Sequence, residues 1–432
     1  LQLSRMSRSD PIKDLTGWVL HRLTANYWSL ALGAVFLAPI VFAALLHLDR
    51  NGLTDWILAQ DLAPVATAET ARDTAGVIAG IDAAFITLYF SISLLVLTIA
   101  AGNLAVRLID RWLGKRLVRV SIAGLSFSLV FAVLTMAAID PQADLAETPL
   151  AVFAASVLLL AVNVVMLSVA LHDLGRTMFV DKAIDAIARD ASERRVFVEA
   201  RPAFEGSFEK TIDAPRNGYI EGVDMDRLVK LLGQEVGTIR VCVAPGQHVL
   251  KGQTLVAMER TSEQADKTLR CIPIGGFRSN SQGAVFQIRL LVEIAARALS
   301  PAVNDFYTAL AVSDALAETI GAHCGNWVAP DAMPVRKGDS HVELPGQDFA
   351  GLFADPLAAF RQAAAPYPSV SIRMIGNLGR VVRLHCANNA GLHEFLETYA
   401  RQLHAQAREQ CDLEFDRLAL DEALDSMRNP TE

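Results

Sequence analysis

LAVFAASVLLLAVNVVMLSVAL, residues 150–171, carries no charged side chain from end to end. At about 1.5 Å per residue, a helix of this length crosses the roughly 30 Å hydrocarbon layer of a bilayer. Three more apolar runs precede it, at 27–48, 83–101 and 120–139. Lipid offers the backbone no hydrogen-bond partners, so spanning segments are helices or closed barrels, and runs this long are helices. The sequence therefore predicts an α-helical integral membrane protein with four transmembrane helices.

The charges between the runs alternate in sign. Arg5, Arg8, Lys13 and Arg22 precede the first run, and Arg107, Arg111, Lys115, Arg116 and Arg119 separate the second from the third. The segment 49–82 holds Asp49, Asp55, Asp61, Glu69, Asp73 and Asp82 against Arg50 and Arg72, and 140–149 holds Asp140, Asp144 and Glu147. Lys and Arg stay on the cytoplasmic side. Both chain ends are thus expected in the cytoplasm, with the two acidic loops outside.

Outward from the spans, five regions are expected. Residues 1–26 form a cytoplasmic leader with an interfacial helix over 11–26, anchored by Trp18, Tyr27 and Trp28. Residues 27–172 form the transmembrane domain, 173–215 a linker helix and connection, 216–260 a small β module, and 261–432 a mainly helical cytoplasmic domain. A short surface helix is expected at 68–80, with Asp82 at the mouth of span two as a helix cap or solvated acid.

The net charge of −8 and the absence of a basic stripe with interleaved aromatics give no reason to expect nucleic acid. Cys242, Cys271, Cys324, Cys386 and Cys411 all fall after the last span, without zinc-pair spacing, and read as small buried residues. The nine histidines are dispersed. No phosphate loop, dinucleotide fingerprint, zinc-protease helix or nucleophile elbow is present. No enzyme, cofactor or metal is therefore expected.

Within the spans, Thr87, Ser91 and Thr98 recur at steps of four and seven along one face, and Asn163 lies near the middle of span four. Gly124, Ser128 and Ala132 give span three a small-residue face. Such faces pack helices together or line a water-filled path. With Asp82 placed at a span mouth, no charged residue is expected mid-span, which argues against a proton relay.

In the β module, residues 243–255 read Val-x-Pro-Gly-x-x-Val-x-x-Gly-x-x-Leu. This resembles the barrel-sandwich fold of biotinyl and lipoyl carriers, without the Met-Lys-Met turn that bears their cofactor. Beyond it, 284–320 has helical spacing broken at Ser300-Pro301, and 330–345 reads as a polar loop. Helices are expected at 348–364 and 391–426, and a weaker one, with strand as the alternative, at 370–384.

The string LLVEIAARALSPAVNDFYTAL at 290–310 is the most distinctive. Together with Tyr27-Trp28, the serines of span two, Gly218-Tyr219-Ile220 and Pro245-Gly246, it resembles a bacterial family of predicted integral membrane proteins, the domain of unknown function 2254 family. Phe306 stands where that family usually has a proline. The resemblance implies four N-terminal spans and a cytoplasmic C-terminal domain, and it implies no reaction. Read from the residues alone, Arg289, Glu293 and Arg297 form a charge ladder, and Asn304 or Asp305 can cap the helix that follows. The sharper alternative is a polar pocket in which Arg297, Asn304, Asp305 and Thr308 hold a ligand or contact another subunit.

The expected function is a homo-oligomeric channel-like, transport-like or sensing protein gated by its cytoplasmic domain. The alternative is an accessory or scaffold subunit that binds other membrane proteins.

Overall fold

The computed structural model describes residues 27–103, 116–176, 180–193, 197–276, 283–387 and 389–428. The interfacial helix expected at 11–26 and most of the basic loop after span two lie outside them. The chain divides into two compact units that meet in sequence after residue 178.

The first unit holds four helices long and apolar enough to cross a membrane. Helix α1 is Tyr27–Leu48, followed by a kinked turn at Asp49–Leu53 and the short α2 at Thr54–Ala59. Helices α3 (Ala68–Asn103), α4 (Arg116–Ala138) and α5 (Leu150–Arg176) complete the set. The main departure from expectation is α3. The surface helix expected at 68–80 and the span expected from 83 are one unbroken helix of 36 residues. No proline interrupts this stretch, and Ala68, Ala71, Ala75, Ile78 and Asp82 recur at steps of three and four as a buried face. The small residues allow close approach: a Cβ on Gly76 would stand 3.3 Å from the sulfur of Met136 on α4. Near the acidic loops, Ala68 and Ala71 pack with Ile139 and Phe153. Towards the basic loop, Tyr89 and Val96 of α3 pack with Val118 and Ile122 of α4 and with Leu167, Ala170 and Leu174 of α5.

The second unit is α+β, as expected. Helix α6 (Val180–Glu193) turns Ile184, Ile187, Ala188 and Ala191 inward. It packs on α8 (Ala284–Ala298) and α9 (Phe306–His323) of the same chain. Helices α10 (Phe349–Ala364), α11 (Pro368–His385), α12 (Ala390–Gln410) and α13 (Glu414–Arg428) surround the α8–α9 pair and each other. The weak 370–384 pattern is thus helix, with Pro368 in its first turn, where a missing N–H costs nothing.

The strands are β1 (Val198–Arg201), β2 (Lys210–Asp213), β3 (Gly218–Ile220), β4 (Ile239–Val241), β5 (His248–Val249), β6 (Thr254–Met258), β7 (Ile274–Gly275), β8 (Met333–Arg336) and β9 (Asp339–Glu343). The short helix α7 (Met225–Leu232) lies between β3 and β4, capped by Asp224. One sheet has the order β1-β8-β9-β4-β6-β2, antiparallel except for the parallel pair β4–β9. The other has the order β5-β3-β7. The carrier-like stretch is thus divided between two sheets, and no barrel closes among the described residues. The loop expected at 330–345 contains the hairpin β8–β9, which turns at Gly338 with φ of +90°. Its alternation was hidden because its buried apolar residues, Pro334, Val335 and Val342, do not alternate along the strands.

Candidate functional site

The continuity of α3 carries Asp82 into the interior of the first unit. Its side chain is 0% exposed. Ser128 Oγ of α4 donates to Asp82 Oδ2 at 2.6 Å, and Asn163 Nδ2 of α5 donates to Oδ1 at 2.9 Å. Asn163 stands thirteen residues from either end of α5, and Ser128 twelve and ten from the ends of α4. At about 1.5 Å per residue, the carboxylate lies some 15–20 Å from the ends of both partner helices. The expectation that span two begins beyond Asp82, and with it the expected absence of a mid-span charge, is overturned.

Taking a carboxylate out of water costs several kcal/mol even after relaxation. Hydrogen bonds to a charged group return about 1.5–3 kcal/mol each. No lysine or arginine occurs at 120–138 or 150–171 to balance the charge from α4 or α5. An ionisable group inside a membrane bundle, held by side chains of two other helices, is a candidate functional position.

A second buried carboxylate serves differently. Asp49, at the end of α1, accepts hydrogen bonds from the backbone N–H groups of Ala151 and Val152 at 3.0 Å each and from Thr54 Oγ1 at 3.0 Å. It therefore caps α5, satisfying N–H groups that have no partner within the helix and meeting its positive end. Thr54 Oγ1 also reaches the carbonyl of Thr148. Asp49 read in the sequence as one more loop acid.

The hydroxyl stripe of span two turns away from this interior. Thr87, Ser91 and Thr98 are exposed, and Thr87 and Thr98 donate to the carbonyls of Ala83 and Leu94, one turn back on their own helix. Of the hydroxyl and amide residues read as pore or packing candidates, Thr87, Ser91, Thr98 and Asn163, Asn163 joins the interior polar cluster, as does Ser128 from the small-residue face of span three. The small-residue face of span three packs inward as expected: a Cβ on Gly124 would meet Met166 of α5 at 3.0 Å.

In the second unit, the signature turn closes on itself. Asp305 N donates to the Ala298 carbonyl at 2.8 Å, and Asn304 takes a left-handed φ of +50°, which asparagine tolerates. Asp305 caps α9, with Oδ1 accepting from Thr308 N at 3.1 Å and Oδ2 from Thr308 Oγ1 at 2.5 Å. Ser300 Oγ returns to the Arg297 carbonyl, and Tyr367 of α11 holds the Leu299 carbonyl at 2.7 Å. Arg297 is half-buried and Asn304 exposed. Both carboxylate oxygens of Asp305 are engaged by Thr308. Elsewhere in this unit Glu343 is buried against Arg240, and at the surface hydrogen bonds from Arg373 and Asn377 hold the Asp314 carboxyl below the usual carboxylate range. Cys324 and Cys386, apart in sequence, are neighbours, and Cys386 together with burial pushes the Cys324 thiol up. Among the described residues, no three His, Cys, Asp or Glu side chains are grouped to hold a metal.

Sequence reasoning missed Asp82, Ser128 as its partner, and Asp49. A signal for the first was present: Ala75, Asp82, Tyr89 and Val96 stand at heptad spacing, all on the buried face of α3.

No solved structure matches this chain. Uncharacterised proteins of Mycobacterium bovis and Mycobacterium tuberculosis are each 26% identical to it over 339 residues, covering 73% of this chain. The chain spans 64% of the length of these relatives. The model of the predicted membrane protein family DUF2254 matches residues 24–379, the spans, both sheets and the signature turn included. The chain belongs to that DUF2254 family of membrane proteins.

Proposed function

We propose that this is a non-enzymatic, transport-type membrane protein in which Asp82 carries a small cation through the helical bundle. The observation that supports this is one carboxylate, fully buried near mid-height and held by Ser128 and Asn163. A carboxylate buried without a basic partner is a site of exchangeable positive charge, because neutralisation is its lowest-cost state in a medium of low dielectric. Four helices enclose little space, so the reading includes assembly of several copies. The outward hydroxyls Thr87, Ser91 and Thr98 are available to a neighbouring copy. The second unit is read as the regulatory part, on the cytoplasmic side of a bacterial inner membrane.

The test is electrical. Purified protein on a solid-supported membrane should give a current on an ion jump, and Asp82→Asn should abolish it. Absence of current under any cation gradient ends the transport reading. Orientation has its own measurement, since the native cysteines all lie in the second unit. Gln60→Cys should be labelled by an impermeant maleimide added outside intact cells, and Trp112→Cys should not. The reverse pattern overturns the orientation.

A further inference from the structure

We infer that the cation is the proton, and that it crosses through a polar seam of which Asp82 is the relay; this rests on the transport reading above. The seam is built at heptad spacing on three buried faces. On α4, Ser121, Ser128 and Thr135 are each at most 1% exposed. On α5, Ser156 and Asn163 are 1% and 2% exposed, and on α3, Asp82 and Tyr89 are 0% and 1%. A seven-residue step is about 10 Å along a helix and returns to the same face. Because α3 and α5 run opposite to α4, the steps fall into register as three layers. Thr135 and Ser156 lie towards the acidic loops, Asp82, Ser128 and Asn163 at the centre, and Tyr89 and Ser121 towards the basic loop. Beyond the third layer, Ser93 and Asp173 lie beside the Tyr89 hydroxyl. Beyond the first stands Asp49, four residues from Ser156 at its cap on Val152.

Two observations separate this seam from ordinary packing. The hydroxyls of Ser121 and Ser156, one on either side of Asp82, are buried with no hydrogen-bond partner in the protein. Buried hydroxyls in native proteins are satisfied by ordered water when no protein group serves them. We read them as water sites in the intervals of about 10 Å along the helices between Asp82 and its flanking layers. The second observation is the chemistry around the carboxylate. Asp82 faces two donors, a hydroxyl and an amide N–H. A metal cation needs about six oxygen ligands, and here it would meet one carboxylate and one hydroxyl oxygen beside the amide of Asn163.

A proton suits this shell in both charge states. The ionised carboxylate accepts from Ser128 and Asn163. When water on one side delivers a proton to Oδ2, the Ser128 hydroxyl rotates from donor to acceptor, and the Asn163 bond to Oδ1 is kept. Loss of that proton to water on the other side restores the carboxylate. One proton and one positive charge have then crossed, with no bond other than O–H made or broken. The other ionisable or hydroxyl-bearing groups along the seam are Tyr89 and Ser93 from α3, Ser121 and Thr135 from α4 and Ser156 from α5, with Asp173 beyond one end and Asp49 beyond the other. Residues 30–46 of α1 bring none.

The experiment uses the full chain in proteoliposomes with a trapped pH dye and a potassium diffusion potential set by valinomycin. The expected result is proton flux well above that of empty vesicles, at least tenfold lower in Asp82→Asn, and recovered in part in Asp82→Glu. Infrared difference spectra recorded during proton flux should contain a carboxyl band that is missing in Asp82→Asn. If Asp82→Asn does not fold, Ser121→Val and Ser156→Val decide, with several-fold slower flux expected from lost water sites. Unchanged flux in those two, or in a folded Asp82→Asn, overturns the seam. Sodium or potassium flux that depends on Asp82, without proton flux, overturns the proton and leaves the transport reading standing. No flux of any cation removes both.

Discussion

Asp82 and Asp305 each have both carboxylate oxygens engaged, and each stands where two helices are brought together. Asp305 serves its own chain locally: one oxygen takes a backbone N–H three residues on and the other the hydroxyl of that same residue. Asp82 takes no backbone N–H, because in the middle of α3 those groups are already paired. Its two donors come from other helices, 46 and 81 residues away. A cap can be exchanged for asparagine at small cost, since the helix end needs an acceptor rather than a charge. A mid-helix carboxylate among donors has no such local duty. The contrast teaches that the target of an aspartate, and not its burial alone, separates scaffold from function.

Substitutions can break or sharpen that contrast, and the largest effect is expected at the bundle centre. Asp82→Ala leaves a hydroxyl and an amide unpartnered in the interior and should lower stability by about 3 kcal/mol, read from unfolding in detergent. Asp82→Asn keeps an acceptor and should stay within about 1 kcal/mol while losing transport. Equal stability losses in the two variants would reduce Asp82 to a structural charge. Next comes Asp49→Ala, which strips the cap from α5 and should cost about 2 kcal/mol, with Asp49→Asn much milder. Asp305→Ala should cost about 1 kcal/mol in the second unit, and Asp305→Asn should leave stability and function nearly unchanged. A functional loss in Asp305→Asn would reopen the ligand or subunit reading of the signature turn.

The smallest effect belongs to the surface pair Arg373–Asp314. Its carboxyl is held below the ordinary value in the folded chain, so the unfolded chain takes up the proton first. The stabilisation is present above the ordinary carboxylate range, near pH 4, and is lost as pH falls through the lower folded value. Arg373→Ala should therefore flatten the acid limb of the second unit's pH–stability curve. At neutral pH it should cost no more than about 0.5 kcal/mol, because both side chains are substantially exposed. An unaltered acid limb would show that Asn377 and Arg380 hold the carboxyl without Arg373.

Much of the architecture was legible because its physics is local. Uncharged runs of bilayer length announce spans. The break at Ser300-Pro301, with an acid four residues on, announces two helices and a cap. The β8–β9 hairpin was not legible, since its inward positions are shared with Asp339, His341 and a buried Glu343 that binds Arg240. The interior site was missed for a related reason. Residues 68–82 contain Glu69, Arg72, Asp73 and Asp82, and their average polarity read as a surface helix where the structure has a buried face of alanine and isoleucine continuous with span two. Only the angular position of Asp82 relative to Ala75 and Tyr89 distinguishes an interior acid from a loop acid. The partner residues Ser128 and Asn163 are chosen by tertiary packing, which no window along the chain reports.

The clasp at Asp49 bears on how the molecule is made. Asp49 is synthesised about a hundred residues before Ala151 and Val152, the groups it holds. A ribosome delivers α1, α3 and α4 to the membrane while that carboxylate still faces water, and the fourth span completes the clasp on arrival. The contact thus acts as a latch that reports complete insertion. A nascent chain arrested before residue 150 should leave α1 loosely held and open to proteolysis at 49–54. Release of the fourth span should protect that segment in a single step.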